Sequence, residues 1–159
     1  MNNNFKYEYE KFISATPLPK LKVKKLSQDA ILPTRAHETD SGLDLYTGFD
    51  VTIPAHSTKV IPTNIAIQLP YGFEGQVRPR SGKTLKTKLR VQLGTIDYTY
   101  VDEDLGIIVD NISDKAIVVP KHTKLAQLVI APVSYMQTEE VTEFDTTEKR
   151  GGFGSTDKA

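Results

Sequence analysis

The 159-residue chain contains no cysteine, which excludes a disulfide framework and any thiolate metal site. Its three histidines, His37, His56 and His122, show no ligand spacing, so a structural zinc is not expected. Net charge is missing as well. The 20 basic side chains balance the 20 acidic ones, and no global field draws the chain onto nucleic acid. Long apolar runs are absent: stretches such as LAQLVIAPV, Leu125 to Val133, fall far short of the roughly 20 residues that cross a bilayer and read as buried strands. The N-terminal MNNNFKYEYEKF lacks the apolar core and small-residue cleavage site of a secretory leader. It also carries acids that a mitochondrial transit peptide avoids, so the expected location is cytoplasmic.

What remains is the composition of a globular domain, with 38% hydrophobic and 25% charged residues and a mean hydropathy of -0.34. A single domain of this length buries roughly 70% of the surface its unfolded chain exposes. Charge is locally uneven, with a basic KLKVKK (Lys20 to Lys25) and an acidic stretch from Thr138 to Glu148. KLKVKK reads as a strand with Leu21 and Val23 on its inner face and lysines outside, in preference to a nucleic-acid patch.

Residues 1–18 are polar and end in TPLP, whose two prolines favour extended chain, so this segment is expected to be a loose arm. Its aromatics Phe5, Tyr7, Tyr9 and Phe12 are available to bury against a neighbouring subunit. From Leu21 onward short apolar segments alternate with turn residues: LKVKKL, LDLYT, HSTKVI, NIAIQLP, GQVRP, KLRVQL, LGIIVDN, AIVVP and LAQLVIAPV. In NIAIQLP, Ile65, Ile67 and Leu69 alternate with Ala66 and Gln68, the period-two pattern of a half-buried strand. PYGFEG and IPAHS read as turns. No long helix is expected. Many short strands in a chain of this size imply an all-β antiparallel barrel or sandwich, with a jelly roll favoured, over residues 19–145. KRGGFGSTDKA is too glycine-rich and polar for a core strand, so residues 146–159 are expected to form a flexible tail.

Five polar, glycine-containing segments stand at strand ends, where backbone groups are free to hold a ligand. In order they are TDSGLDLYT (Thr39 to Thr47), RPRSGK (Arg78 to Lys83), GTIDYTY (Gly94 to Tyr100), KHTKLAQLV (Lys121 to Val129) and RGGFGST (Arg150 to Thr156). Arg80, Ser81 and Gly82 offer a guanidinium, a hydroxyl and an unobstructed backbone N–H, a set suited to phosphate oxygens. The spacing is not that of a Walker loop. Asp97 supplies a carboxylate able to orient and deprotonate a water, and Tyr100 an aromatic plate for a sugar. The last segment carries an arginine, backbone donors and one aromatic ring, as a phosphate-closing lid requires. Taken singly, each segment has a plain alternative: a proline turn, a surface turn with one aspartate, a disordered tail.

All five together, in this order and at about these separations, resemble the five motifs of the trimeric dUTPase family, over about Leu21 to Thr156. PRSG, GTID and GGFGST are the most telling. The resemblance implies a jelly-roll homotrimer with three shared active sites, dUTP as substrate, Mg2+ as cofactor, and dUMP and pyrophosphate as products. By it, Asp97 is the general base that orients the attacking water, and Tyr100 packs beneath the deoxyribose. Gly94, Thr95 and Ile96 line the hairpin that reads uracil, and Gly106 is assigned to substrate binding with them. Arg80, Ser81 and Gly82 hold phosphates from a neighbouring subunit. Asp44 touches the magnesium through water, and Gln127 lies near the α-phosphate. Phe153 stacks over uracil, while Arg150, Gly154, Ser155 and Thr156 belong to the segment closing on the β and γ phosphates.

The chain departs from the family pattern in places. Ser41 replaces an alanine; Asp102 begins an Asp102-Glu103-Asp104 cluster where a glycine is usual; and Asn111 lies one residue further along. The hairpin is therefore expected to be bulged, and the acidic cluster to be a solvated turn. His122, Thr123 and Lys124 replace a Gly-Asp-Arg sequence, and Arg150 stands three residues before Phe153 instead of five. Asp157 replaces the final glycine. The dCTP deaminases share the fold and the middle motifs, but the glycine-rich tail argues for the hydrolase. A non-enzymatic trimer that binds a regulatory protein partner is the third reading, and the joint presence of Asp97, Tyr100, Arg80 and Phe153 speaks against it.

Overall fold

Short alternating segments fold into short strands. The computed structural model describes residues 20–145. The expected arm 1–18 and the tail residues Arg150, Phe153, Gly154, Ser155 and Thr156 lie outside the described residues. Among the described residues there are eleven strands: β1 (Lys22–Lys25), β2 (Gly42–Tyr46), β3 (Val51–Ile53), β4 (Ser57–Ile61), β5 (Ile65–Gln68), β6 (Phe73–Pro79), β7 (Leu89–Val91), β8 (Gly94–Ile96), β9 (Ile107–Asn111), β10 (Ile117–Val119) and β11 (Lys124–Pro132). One helix, α1 (Ser81–Lys86), interrupts them. Every strand pairing described is antiparallel, in four sheets: β1-β5, β3-β10, β2-β11-β6-β8 and β4-β9-β7.

All nine expected apolar segments hold strands, and β1 behaves as read, with Leu21 and Val23 packed on the core and Lys22, Lys24 and Lys25 exposed. Three elements were not expected. β3 and β8 are each three residues long, too short to show an alternation, and α1 opens on an Arg-Ser-Gly that reads as a turn. Both expected turns are present. At PYGFEG, Gly72 takes φ +86°, where a side chain would be strained, and Phe73 N–H donates to Pro70 O. At IPAHS, His56 takes φ 49° and the Ser57 hydroxyl donates to Pro54 O.

The sheets close on one core. Leu45, Ile53, Ile61, Leu105, Ile107, Leu125 and Leu128 are fully buried and come from β2, β3, β4, the loop before β9, β9 and β11. Burial of each such side chain contributes about 1.5–3 kcal/mol before entropy is counted. Leu125 and Ala126 are adjacent yet both fully buried, which regular alternation forbids. The β11–β2 register shifts between Lys124 and Ala126, and that irregularity lets both face inward. Asn111, buried at the end of β9, donates to Ile53 O, Pro54 O and Lys115 O and accepts from Ser113, tying β9 to the β3 corner.

The expected hairpin bulge lies elsewhere. β7 and β9 pair without a shift from Leu89↔Asn111 to Val91↔Val109, and Gln92 N–H still donates to Ile108 O. The chain then leaves β9 to pair β8 with β6, so the extra residue is absorbed in the 97–106 loop and not in the ladder.

Candidate active site

β2, β11 and β6 lie side by side, and their register sets Asp44 opposite Gln127. Partners across an antiparallel pair point to the same face, so a carboxylate and a carboxamide stand together at this sheet. β6 ends at Pro79 and hands over to Arg80 and α1. The result is a cleft of about 600 Å³ whose lining includes Asp44, Arg80, Ser81, Gly82 and Gln127. Three of the five motifs recognised in the sequence converge there, and Lys124 of the fourth-motif strand pairs with the same aspartate.

Asp44 is nearly buried, and two cations meet it. Arg80 Nε lies 2.9 Å from Oδ1, and Lys124 Nζ lies 2.8 Å from Oδ2. Arg80 Nη1 also donates to Lys124 O at 2.9 Å. These bonds fix the guanidinium and leave three of its five N–H groups for a ligand. The hydrogen bond that the Lys124 ammonium donates to Asp44, then the charge of Asp44, holds it above its ordinary pKa. Through neutral pH the trio therefore carries one net positive charge. Gln127 Nε2 donates to Pro79 O at 2.9 Å, and its side chain fills the space where a Cβ on Gly42 would sit. Ser81 and Gly82 open α1 exposed, and a Cβ on Gly82 would meet nothing within 4 Å. No packing within the described chain requires a glycine there.

The second cluster is the loop that follows β8. β8 pairs Gly94 with Val77 and Ile96 with Gly75, which carries Asp97 to the level of Glu74, near the start of β6. Asp97 is exposed, and its carbonyl accepts from Tyr100 N–H at 3.0 Å, closing a turn that holds carboxylate and ring on one short loop. The Tyr100 hydroxyl donates to Asp104 O at 2.9 Å. Partial burial, with Glu103 and Asp104 nearby, pushes its pKa up, so the ring stays neutral. A Cβ on Gly94 would meet Val77 only at an ordinary 3.6 Å, so this glycine too is not demanded by the fold. Gly106 differs: a Cβ there would stand 2.5 Å from Val60 Cγ1, so its lack of a side chain serves the packing of β4.

The acidic cluster is the solvated turn expected at Asp102 and Glu103, which are exposed, but not at Asp104. Asp104 Oδ1 accepts from Thr63 N–H at 2.9 Å and from Thr63 Oγ1 at 3.3 Å, and Oδ2 accepts from Asn64 N–H at 3.1 Å. Thr63 and Asn64 are buried, and Asn64 sits at φ 59°, so this carboxylate satisfies a strained corner and anchors the loop. Asp102 does face outward, 2.9 Å from Lys24 Nζ. Sequence reasoning also missed an aromatic cluster beside Asp97. Tyr71 meets Tyr98 edge-on at 5.2 Å and stacks on Tyr135 at 5.5 Å. The Tyr135 hydroxyl titrates above its ordinary value, from burial and from Tyr71, Tyr98, Asp97 and Glu74 nearby.

The two clusters stand at opposite ends of β6. Asp97 follows the residue paired with Gly75, while Arg80 follows Pro79. Six residues of strand from Glu74 to Arg80 span about 20 Å. One chain therefore holds its phosphate-type cleft and its Asp97–Tyr100 loop too far apart to grip one reacting bond.

The model of the dUTPase family matches residues 28–157. Among curated relatives, the deoxyuridine 5'-triphosphate nucleotidohydrolase of Clostridioides difficile is 48% identical over 139 residues, covering 86% of this chain and 96% of its own. That of Gloeothece citriformis is 47% identical over 140 residues, with the same coverage. Among solved structures, a point mutant of the Staphylococcus bacteriophage 80alpha dUTPase with dUpNHpp superposes with a TM-score of 0.82 at 30% identity, covering 87% of this chain and 99% of that one. A point mutant of the dUTPase from phage phi11 of S. aureus, whose structure describes coordination of a structural Mg(II) ion, gives 0.76 at 29% identity, with coverage of 80% and 100%. With a family model spanning most of its length and relatives close to half identical across it, the chain belongs to the dUTPase family.

Proposed function

We propose that this protein is a cytoplasmic, magnesium-dependent hydrolase that converts dUTP and water to dUMP and pyrophosphate in sites shared between the subunits of a homotrimer. The observation that carries the sharing is the span of β6. Asp97 and Arg80 stand at its two ends, and a reaction between bound groups needs partners within about 3–3.5 Å. A neighbouring copy brings its Arg80 end to the Asp97 end of the first. Gly82 and Gly94, which nothing within the described chain requires to be glycine, are where a ligand or a second backbone approaches closely.

In such a site Asp97 takes a proton from the water that attacks the α-phosphorus in line, and pyrophosphate leaves. Tyr100, held by its bond to Asp104 O, presents its ring to the deoxyribose and leaves no room for a 2′-hydroxyl. Gly94, Thr95 and Ile96 read uracil through backbone groups. Arg80, Ser81, Gly82 and Gln127 of the neighbour hold the phosphates. Among the described residues no three carboxylates or histidines converge as a protein cage for a metal. Asp44, with both oxygens already bonded to cations, would instead hold a magnesium ion indirectly, through water. When bound, that ion neutralises charge on the departing pyrophosphate. The arm 1–18, the domain 19–145 and the tail 146–159 complete the proposal, with Arg150, Phe153, Gly154, Ser155 and Thr156 closing over base and phosphates.

The test is pyrophosphate release by the purified protein with magnesium, comparing dUTP with dCTP, dTTP and UTP while following the nucleotide product. Release from dUTP alone, yielding dUMP, supports the proposal. Conversion of dCTP to a uracil nucleotide would make the protein a deaminase, and no release would make it a binding module. Asp97→Asn should lower kcat by roughly 10²–10⁴-fold, the usual contribution of a positioned base.

A further inference from the structure

The phosphate-type cleft holds two cations that the roles assigned so far leave unused. Lys83 and Lys86 line it together with Arg80, and both come from α1, immediately after Arg80-Ser81-Gly82. Three positions apart on a helix, they share one face. Resting on the hydrolase reading above, we propose that Lys83 and Lys86 are further phosphate-binding residues, which hold the outer phosphates of the triphosphate.

The charge balance of the cleft supports this. Arg80 and Lys124 are both spent in part on Asp44, at 2.9 and 2.8 Å. Asp40, also in the lining, adds a second carboxylate. Asp40 and Asp44 outnumber Arg80 in the lining, so without the two helix lysines it would carry one net negative charge; with them it carries one net positive charge, and Lys124, paired with Asp44 beside it, raises the surplus to two. A nucleoside triphosphate with one divalent ion carries about two negative charges, so the lysines bring the cleft to charge complementarity with its ligand. Among the described residues neither ammonium has a carboxylate partner. Placing two like charges on adjacent turns of a six-residue helix is mildly unfavourable, a cost that an anion in the cleft offsets. Lysine suits the outer phosphates because its ammonium is a mobile point charge with three donors, whereas the fixed Arg80 fork suits a defined oxygen pair.

A plain alternative is that these lysines only complement the C-terminal end of the helix. The two roles separate in binding measurements that need no turnover. Lys83→Met, Lys86→Met and the double variant would be compared with the wild type for direct binding, by titration calorimetry, of inorganic tripolyphosphate with magnesium and of uncharged deoxyuridine, over a salt series. Each single variant should bind tripolyphosphate about five- to tenfold more weakly, the double variant more weakly still, with a shallower salt dependence and unchanged deoxyuridine affinity. KM for dUTP should rise in parallel while kcat holds, and Lys83→Arg should retain most of the affinity. Wild-type tripolyphosphate affinity in the double variant would overturn the inference, as would equal loss of tripolyphosphate and deoxyuridine binding. Lysine-dependent tripolyphosphate binding in a wild type that does not hydrolyse dUTP would leave this inference standing and overturn the hydrolase reading.

Discussion

Two inactive variants of this protein should restore activity to each other. Asp97→Asn removes the proposed base at one end of β6, and Arg80→Ala removes the proposed phosphate ligand at the other. With about 20 Å of strand between them, the proposed sharing has each site take Asp97 from one chain and Arg80 from a neighbour. In a randomly mixed trimer made from equal amounts of the two variants, a site is sound only when its Asp97 comes from an Arg80→Ala chain and its Arg80 from an Asp97→Asn chain. Each condition holds half the time, so about a quarter of sites are intact and the mixture should turn over dUTP at about a quarter of the wild-type rate. The two variants would be unfolded together, refolded and checked for hybrid trimers by native mass spectrometry, with pyrophosphate release measured at saturating dUTP. The parents alone supply the baseline. Hybrids that form yet work no better than the parents would refute the sharing of sites.

Two further predictions concern the frame of the Asp97 loop. Gly106→Ala brings a Cβ to 2.5 Å from Val60 Cγ1, and since the exposed valine must leave its preferred χ1 to make room, the variant should lose about 0.5–1.5 kcal/mol in chemical denaturation; Val60→Ala in the same chain should recover most of it. Asp104→Ala leaves the buried Thr63 and Asn64 N–H groups without their acceptor, at about 2–4 kcal/mol, and frees the loop that carries Tyr100, so thermal unfolding should move down and KM for dUTP up together. Unchanged KM with lowered stability would show that the loop keeps its shape without the anchor.

The strands were legible because their chemistry is local. Ile65, Ile67 and Leu69 announce β5 by alternation alone, and Val23 announces the inner face of β1. β3 was hidden by its brevity, and α1 by an opening Arg-Ser-Gly that reads as a turn even though Lys83, Leu85 and Lys86 are good helix formers. Asp104 could not be read at all. In sequence it is one of three consecutive acids, and its partners Thr63 and Asn64 lie about 40 residues away, so only the fold distinguishes an anchor from a solvated charge. The motifs could be recognised one by one, and the meeting of Asp44, Arg80, Lys124 and Gln127 in one cleft follows from the register of β2, β11 and β6. That the Asp97 loop stands apart from them has no local signature, because a linear sequence does not show which end of a strand a residue occupies.

The length of β6 also bears on gene dosage. If the two halves of every site stand on different chains, as proposed, a newly made single copy has no activity, and at low expression the rate rises steeply with chain concentration until assembly is complete. A defective copy lacking both halves, built in beside two sound ones, takes down not its own share but two sites of the three. Such an allele would act dominantly, and its damage would follow the arithmetic of assembly and not the number of faulty molecules.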